Sequence, residues 1–426
     1  MSTDMKWSAL SGPVIALLGA ILATTPAVAQ DPDSTRIEEL EEQIEAITRE
    51  IERLYLGRDV VVADSSVSGF GPAASRVYRI DSGVSIGGYG EVLYQNFSAE
   101  TEDGAAARPT DVFDALRAIV YVGYKFNDKV LFNSEIEVEH ADEIFLEFAY
   151  VEYRLRNDIG LRGGLLLAPM GWVNELHEPP TFLGTQRSVT ETRIIPSTWR
   201  ENGFGLFGDH ADFTWRAVVI NSLDAEAFSG SGVRGGRQKG SKSLAEDFSF
   251  IGRLDYTGRP GLTTGGALHI GRTGHGRDVG GDPIDGQLII WDLHADYKVA
   301  GLEARALVAG SDLSDAAEIN ELAGNVGAQG VGSSMLGWYV QVGYDVLRNS
   351  SSMHQLIPYL GYEKLDTQRK VAPGFTVDPA NDLTVASIGL AWKPVSQVVA
   401  KVDYQMRRNA AETGLDQINF QLGWLF

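Results

Sequence analysis

The 426-residue sequence has no cysteine, which excludes disulfide bonds, thiolate metal sites and a cysteine nucleophile. Beyond its first residues, it also has no run of about 20 apolar residues, which is the length that a transmembrane helix needs. Asp and Glu number 57 against 36 Lys and Arg, giving a net charge of −21. This balance argues against nucleic acid as a partner, because such binding needs clustered basic residues. If the chain enters a membrane, it must do so as a closed barrel.

Residues 1–29 are predicted to be a signal peptide. Lys6 precedes the apolar run 14–23, and Ala27 to Ala29 provides a small-residue cleavage site. The run is too short to span a bilayer. We therefore expect an exported protein, with a buried helix of a soluble protein as the alternative.

Residues 30–63 contain a heptad pattern, and we expect a periplasmic coiled coil there. Apolar residues recur at alternating spacings of three and four, and the opposite face is almost wholly charged. The pattern leaves dimer and trimer open, and a single amphipathic helix packed on its own domain is the alternative. Residues 64–82, which contain Gly and Ser, are predicted to be a linker. The a and d positions are Ile37, Leu40, Ile44, Ile47, Ile51 and Leu54.

Residues 83–426 change to a period of two, which predicts an all-β fold. We expect a transmembrane antiparallel β-barrel of about 16 strands, from 84–97 to 415–426, since an even number returns the chain to its starting side. Tight turns alternate with long polar loops, a pattern that a β-sandwich does not explain. Aromatic residues near strand ends suggest interfacial girdles; they are Trp338, Tyr344, Tyr359, Trp392 and Trp424.

The third long connection, 169–202, is more apolar than the other loops, which indicates that it folds inward and constricts the pore. Its arginines either form a basic patch at the constriction or pin the loop through salt bridges to Glu175, Glu191 and Glu201. The candidate constriction residues are Arg187, Arg193, Arg200, His177, Glu175 and Glu178.

Five segments together resemble the bacterial porin family that includes the phosphate-selective porins O and P. The resemblance implies a trimeric barrel of sixteen strands, narrowed by its third loop. It also implies a periplasmic coil, as in some branches of the family, and a C-terminal aromatic, Phe426, that the barrel-assembly machinery recognises. The segments are Gly87–Glu91, Asn133–His140, Arg162–Gly171, Asn174–Pro180 and Ile194–Gly203.

The inward-facing strand positions carry charges of both signs, so the strands leave ion selectivity open. Basic rings favour anions and acidic rings favour cations. Because the narrowest point counts most, we lean towards anions of the phosphate or carboxylate type. The lumen-lining candidates are Glu135, Glu137, Arg162, Asp292, His294, Asp296, Lys401, Asp403 and Arg407.

The expected activity is passive diffusion of small hydrophilic solutes across the bacterial outer membrane, without catalysis, cofactor or metal. The expected partners are outer-membrane lipid, further copies of the chain, the barrel-assembly machinery and the solutes. Two alternatives stay open. One is a structural barrel that anchors the envelope. The other is a barrel hydrolase, for which His140 beside Glu139 and Asp142 is a weak candidate site, because no Ser–His arrangement accompanies it.

Overall fold

The computed structural model describes residue 67, residues 69–350 and residues 352–426. The predicted signal peptide and the six heptad positions lie outside these residues. Sixteen antiparallel strands form a closed barrel, in which each strand pairs with its neighbours in sequence. The strands are β1 Gly83–Phe97, β2 Val112–Lys125, β3 Val130–Glu139, β4 Glu143–Arg156, β5 Ile159–Leu167, β6 Arg200–His210, β7 Phe213–Asn221, β8 Phe248–Arg259, β9 Leu262–Arg272, β10 Gln287–Val299, β11 Leu302–Leu313, β12 Ser334–Tyr344, β13 Gln355–Lys370, β14 Asp382–Val395, β15 Val398–Asn409 and β16 Gln417–Leu425.

The barrel closes where the first strand pairs with the last. The register between β1 and β16 runs from Tyr89 opposite Leu425 to Phe97 opposite Gln417. One residue beyond β16, the backbone N–H and C=O of Phe426 exchange hydrogen bonds of 2.9 Å with Gly88. The ring of Phe426 is half exposed. The chain end therefore completes the seam of the barrel.

The two faces of each strand differ as the period of two predicts. In β10, Ile290 and His294 point inward and are buried, whereas Leu293 points outward with 60% of its surface exposed. Large apolar residues are exposed on the outside of most of the other strands as well. This apolar outer belt is typical of a transmembrane barrel, in which lipid-facing residues alternate with lumen-facing ones along each strand.

The aromatic girdle prediction holds for most of its members and fails for one. Trp338, Tyr344 and Trp392 are exposed on the outer surface. Tyr359 instead points into the barrel, where its hydroxyl donates to Asp403 at 2.7 Å. Tyr359 lies near the end of its strand, as an interfacial residue would, but successive side chains of a strand point to opposite faces. Its neighbour Leu360 points outward, so Tyr359 points into the barrel.

The two ends of the barrel have different connections. At the turn end, strands such as β2 and β3 are joined by 126–129, and β15 follows β14 after 396–397. At the loop end, the long connections are 98–111, 168–199, 222–247, 273–286, 314–333 and 371–381. The predicted alternation of tight turns and long loops is therefore confirmed.

Among the described residues, short helices occur before β1 and within the connections between strands, and none of them is long and apolar enough to cross a membrane. A two-stranded hairpin, Asp278–Val279 with Asp282–Pro283, lies between β9 and β10. The helices are the 3-10 helices Ala74–Tyr78, Pro179–Thr181, Ala225–Ala227, Arg234–Gly236, Gly327–Gln329 and Pro379–Asn381, and the α-helices α1 Thr190–Arg193 and α2 Ala316–Leu322.

A hydrophobic core fills part of the barrel at the loop end. Trp199 from the third loop packs there with Phe228, Val233 and Ile319 from later loops, all less than 2% exposed. The lumen side of β7 to β14 supplies the facing apolar residues. The long loops therefore fold over and into the barrel instead of extending into solvent.

The segment just before β1 also lies inside the barrel. We name residues 69–80 the luminal strap. Phe70, Ala73, Ala74 and Val77 are at most 3% exposed and pack against inward residues of β1 to β5 and of β16. The Gly and Ser content of 64–82 predicted a linker and gave no indication of this burial.

Candidate pore constriction

The third loop folds into the lumen and crosses it. We name residues 168–199 the constriction loop, after the role that the sequence predicts for them; most of its residues are buried. Asn174 closes its base, because its side-chain amide donates to the carbonyls of Ala168 (2.6 Å) and Trp199 (3.0 Å) while its oxygen accepts from the Trp199 N–H (2.6 Å). A buried side chain with these bonds holds the two ends of the loop together.

Carboxylates of the barrel wall hold the far side of the constriction loop. Glu363 of β13 accepts from the Ser188 hydroxyl at 2.6 Å and from the Thr190 N–H at 2.5 Å. Asp403 of β15 accepts from the N–H and the hydroxyl of Thr185 at 2.9 and 2.8 Å. These are hydrogen bonds to charged acceptors, which are stronger than neutral ones.

A second set of wall charges holds the near side. Glu175 of the loop pairs with Arg216 of β7, and Arg216 also contacts Asp255 of β8 at 3.0 Å. Arg253 joins the same Asp255 at 2.8 Å and donates to the backbone carbonyl of Gly171. Every charge in this network has an opposite partner within the barrel, as buried charges require.

Asp292 and His294 of β10 belong to the same network. His294 lies 2.5 Å from Asp292 and 2.7 Å from Asp255, and all three side chains are buried. Asp292 also accepts the N–H of Gly171 at 3.1 Å. Both residues were lumen-lining candidates. They do point inward, but the constriction loop covers them.

The same holds for other lumen-lining candidates. Lys401 and Asp403 form hydrogen bonds with the constriction loop. Arg162 is buried, and its guanidinium forms a salt bridge of 3.1 Å with Glu152. Asp296 pairs with Arg305 at 2.8 Å and is only partly buried. Arg407 is also partly buried, and its guanidinium donates to Gln405 at 3.2 Å. Asp296 and Arg407 are the lumen-lining candidates that are not fully buried.

His177 is the loop residue whose electrostatic environment is most altered. Burial, followed by the nearby charge of Arg187, lowers the pKa of His177 to about 4. Nδ1 lies 3.1 Å from the carbonyl oxygen of Asn174, which can only accept, so Nδ1 carries the hydrogen of the neutral ring. Nε2 then faces Glu135 of β3 at a distance of 3.1 Å.

The three candidate arginines lie in different surroundings. Arg187 is partly buried and donates to the backbone of His177 at 3.5 Å. Arg193 is in α1, where burial lowers the pKa of its guanidinium and Glu363 opposes that shift. Arg200 is not on the loop but on β6, where it pairs with Glu147 at 2.7 Å.

The suggested salt-bridge partners of these arginines were wrong. Glu175 pairs with Arg216 instead. Glu191 accepts from the backbone N–H groups of Trp172 and Val173, each at 2.7 Å, and Glu201 accepts from the N–H of Gln238 at 2.7 Å. The sequence could not supply the right partners, because Glu147, which binds Arg200, is far away along the chain and is brought near by the barrel register.

Two arginines of the next loop, which sequence reasoning missed, join the basic group. Burial and the nearby charges of Arg237, Arg187 and Arg117 lower the pKa of Arg234 to about 9. The Nη1 atom of Arg234 is buried without a hydrogen-bond partner. Arg237 donates to the carbonyl of Thr198 at 2.6 Å, next to the constriction loop's end. The basic cluster at 234–239, which contains Arg234, Arg237 and Lys239, was the available signal.

Acidic residues of β1 and β3 face this basic group. Arg117 of β2 binds Glu91, Glu137 at 2.9 Å and Glu139 at 3.1 Å, so a single guanidinium joins three carboxylates. The lumen near the constriction therefore has an acidic wall along β1 to β3 opposite arginines of the loops. Glu137, a lumen-lining candidate, lies in this wall.

In the described ranges, no group of three or more His, Asp and Glu side chains has the geometry to hold a metal ion. His140 contacts Asp114 at 2.6 Å on the exposed loop end. Across the described part of the chain, the histidine hydrogen bonds that the geometry supports go to carboxylates, backbone carbonyls, an amide or a guanidinium.

The closed sheet, the apolar exterior and the inward third loop define a sixteen-stranded transmembrane β-barrel with the porin fold. No family model matches the chain. The chain belongs to the same family as an uncharacterized protein of Aquifex aeolicus (strain VF5), with which it is 34% identical over 377 residues, or 84% of each chain.

Solved structures support the fold. The barrel is similar to OmpT of Vibrio cholerae in its trimer form, with a TM-score of 0.52 at 10% identity over 82% of this chain and 100% of that one. It is also similar to OmpF of Salmonella typhi in complex with daunomycin, with a TM-score of 0.52 at 11% identity over 81% of this chain and 98% of that one. The outer-membrane channel DcaP of Acinetobacter baumannii has a TM-score of 0.50 at 11% identity, over 80% of this chain and 97% of that one.

Proposed function

We propose that this protein is an outer-membrane porin, which lets small hydrophilic solutes diffuse passively and favours anions of the phosphate or carboxylate type. The observation that carries the proposal is that Arg187 on the constriction loop and Arg234 on the following loop lie close enough for their charges to interact. Each guanidinium lowers the free energy of an anion that passes nearby, and the Nη1 of Arg234 is a buried donor without an acceptor. Positive groups at the narrowest point favour anion passage.

The proposed orientation places the turn end in the periplasm, with the predicted coil of residues 30–63, and the loop end outside the cell. Short periplasmic turns and long extracellular loops are typical of bacterial outer-membrane barrels. We further propose a homotrimer, which the trimer form of Vibrio cholerae OmpT supports by fold. Phe426, paired at the seam, is the proposed recognition element for the barrel-assembly machinery. No catalytic activity and no cofactor are part of this proposal.

Planar-bilayer recording of the purified protein tests the channel. We expect stepwise ion conductance and, in a salt gradient, a reversal potential on the anion-selective side. A barrel that stays silent over many insertions would exclude the proposal. The triple substitution of Arg187, Arg193 and Arg200 by Ala should move the reversal potential towards cations.

A matched control removes charge away from the constriction. Arg156 is the last residue of β4, next to a turn; it pairs with Asp158 at 2.6 Å, and its side chain is 66% exposed. Arg156→Ala should leave the reversal potential unchanged. If the triple variant behaves like this control, the arginines do not set selectivity. Adding Arg234→Ala to the triple variant should increase the shift, because the fourth guanidinium then no longer attracts anions.

The competing function is a structural barrel that anchors the envelope. The luminal strap and the constriction loop occupy much of the interior, and such filling favours an anchor over a wide pore. Deleting residues 37–54 bears on this alternative and on the oligomer. We expect the barrel to fold and conduct while the trimer becomes less stable in detergent. Loss of envelope attachment with unchanged conductance would show that the two functions are separate.

A further inference from the structure

The carboxylate of Glu178 joins the luminal strap to the constriction loop. Glu178 of the loop accepts hydrogen bonds from the backbone N–H of Ala73 at 3.0 and 3.2 Å and from that of Ala74 at 3.0 Å. All three residues are buried. Consecutive N–H groups that converge on one carboxylate form charge-assisted bonds, which are stronger than bonds between neutral groups.

The barrel wall is shaped to accept the strap. A side chain at Gly123 of β2 would place its Cβ 2.6 Å from the Cβ of Val77, and one at Gly87 of β1 would place it 3.0 Å from the carbonyl oxygen of Ala73. The distance at Gly123 is shorter than real Cβ atoms show, and the distance at Gly87 is tighter than most real Cβ contacts. With the strap in place, Gly123 therefore has no room for a side chain, and one at Gly87 would require a shift of the strap. A strap without a defined position would not need either glycine.

Polar contacts fix the strap at three more points. Asn133 of β3 donates to the carbonyl of Ala74 at 3.0 Å. The Tyr78 hydroxyl donates to Glu152 of β4 at 2.8 Å, and Lys125 of β2 donates to the carbonyl of Ile80 at 2.8 Å. The strap is therefore bonded to β2, β3 and β4, which makes it a rigid support on one side of the lumen.

Glu178 turns towards the strap, while its neighbours in the loop contact the barrel wall. His177 lies 3.1 Å from Glu135 of β3. The loop segment after Glu178, Pro179–Thr181, is a 3-10 helix that contacts β1, β15 and β16. Between these wall contacts, the carboxylate of Glu178 rests on the backbone of the strap.

We propose that the luminal strap is the support of the constriction loop, and that Glu178 is the positioning residue through which it acts. Glu178 was expected to face the pore, whereas its carboxylate accepts hydrogen bonds from the backbone of Ala73 and Ala74. The strap then sets how far the loop can move, and so the steadiness of the open channel. Only the current measurements below rest on the proposed function; the labelling measurements do not.

Thiol labelling tests the strap directly, because the chain has no cysteine of its own. Val77→Cys keeps a similar volume at a side chain that is 1% exposed, and Ala105→Cys provides an exposed reference in the first loop. We expect a water-soluble maleimide to label position 77 at least about tenfold more slowly than position 105, since reaction requires local opening. Equal rates would overturn the placement of the strap.

Loss of the carboxylate should free the strap. In the Val77→Cys background, Glu178→Ala should raise the labelling rate at least about tenfold, because bonds to a charged acceptor are lost. Glu178→Gln keeps one acceptor oxygen and should fall between. Arg156→Ala in the same background is the control and should change nothing. An unchanged rate in a folded Glu178→Ala barrel would overturn the role of Glu178.

A steric variant tests the same contact from the wall. Gly123→Ala should expel the strap and speed labelling at Val77→Cys, since the new Cβ collides with that residue. Gly163→Ala is the matched control, because its new Cβ would meet no atom closer than 3.8 Å. Equal labelling in the two glycine variants would contradict the proposal.

Single-channel recording measures the consequence for the constriction loop. Glu178→Ala and Gly123→Ala should each increase the variance of the open-channel current several-fold, whereas Gly163→Ala should match the wild type. If both variants label rapidly but conduct as steadily as the wild type, the strap does not support the loop. If the wild type itself passes no current, the proposed porin function fails, and the labelling results still decide where the strap lies.

Discussion

The ammonium group of Lys401 lies 3.9 Å from the centre of the Phe182 ring. It also donates to the backbone carbonyls of Pro179 and Gly184, each at 2.8 Å. Lys401 is on β15 and the other three residues are on the constriction loop. One wall cation thus holds a turn of the loop by a cation–π contact and two hydrogen bonds.

Replacing this cation should loosen the loop. Lys401→Met keeps the length of the side chain but leaves two buried carbonyls without a donor, at a cost of about 1–3 kcal/mol for each. We expect a lower free energy of unfolding in denaturant, read from tryptophan fluorescence. Lys129→Met, at an exposed turn, should be neutral. A Lys401→Met barrel as stable as that control would show that other contacts hold this turn.

Arg117 should matter for both stability and selectivity. Arg117→Met leaves Glu91, Glu137 and Glu139 without their shared cation. Removing one partner of a buried ion pair costs about 3–5 kcal/mol. The uncompensated carboxylates should also move the reversal potential towards cations. Arg156→Met is the control, and a reversal potential equal to that of the control would exclude the acidic wall from the permeation path.

His177 should make the barrel sensitive to acid. Its pKa in the folded protein is about 4, below the unfolded value of about 6.5, so the unfolded chain binds more protons between these values. The contribution of His177 is present above pH 6.5 and is lost as the pH falls through 4. Between pH 7 and pH 4, the wild type should therefore lose more unfolding free energy than His177→Gln does. His354→Gln, an exposed histidine variant, should follow the wild type.

The core formed by the long loops should contribute to stability. Phe228 is 1% exposed, and Phe228→Ala should cost about 3–5 kcal/mol through lost burial and the cavity left behind. Val326, in a loop of the same end, is 69% exposed, and Val326→Ala should change the free energy by less than about 0.5 kcal/mol. Equal denaturation midpoints for the two variants would mean that the loops fold independently of the barrel.

The strands were predictable because their information is local. Inward and outward residues alternate along each strand, and the turns between them carry their own sequence signals. Sixteen strands were expected, and the ends of β1 and β9 differ from the expected spans by no more than a residue or so. The inward fold of the third loop was also predictable, because residues such as Trp172 and Trp199 need burial.

Pairwise contacts inside the barrel were not predictable. Arg200 pairs with Glu147 and Lys401 binds the carbonyl of Gly184, and each contact depends on the register of strands far apart in sequence. The strap was missed for a different reason. Residues such as Gly71 and Ser75 are typical of linkers, and the same small size lets them pack inside a barrel.

The seam between β1 and β16 has a consequence for how the chain is made. Gln421 donates to Glu91, 330 residues earlier in the chain, and Phe426 pairs with Gly88. A chain interrupted before β16 would have two bare strand edges, on β1 and β15, which are templates for aggregation. The barrel therefore cannot seal during synthesis, and its closure is a late, long-range step that must wait for the last strand.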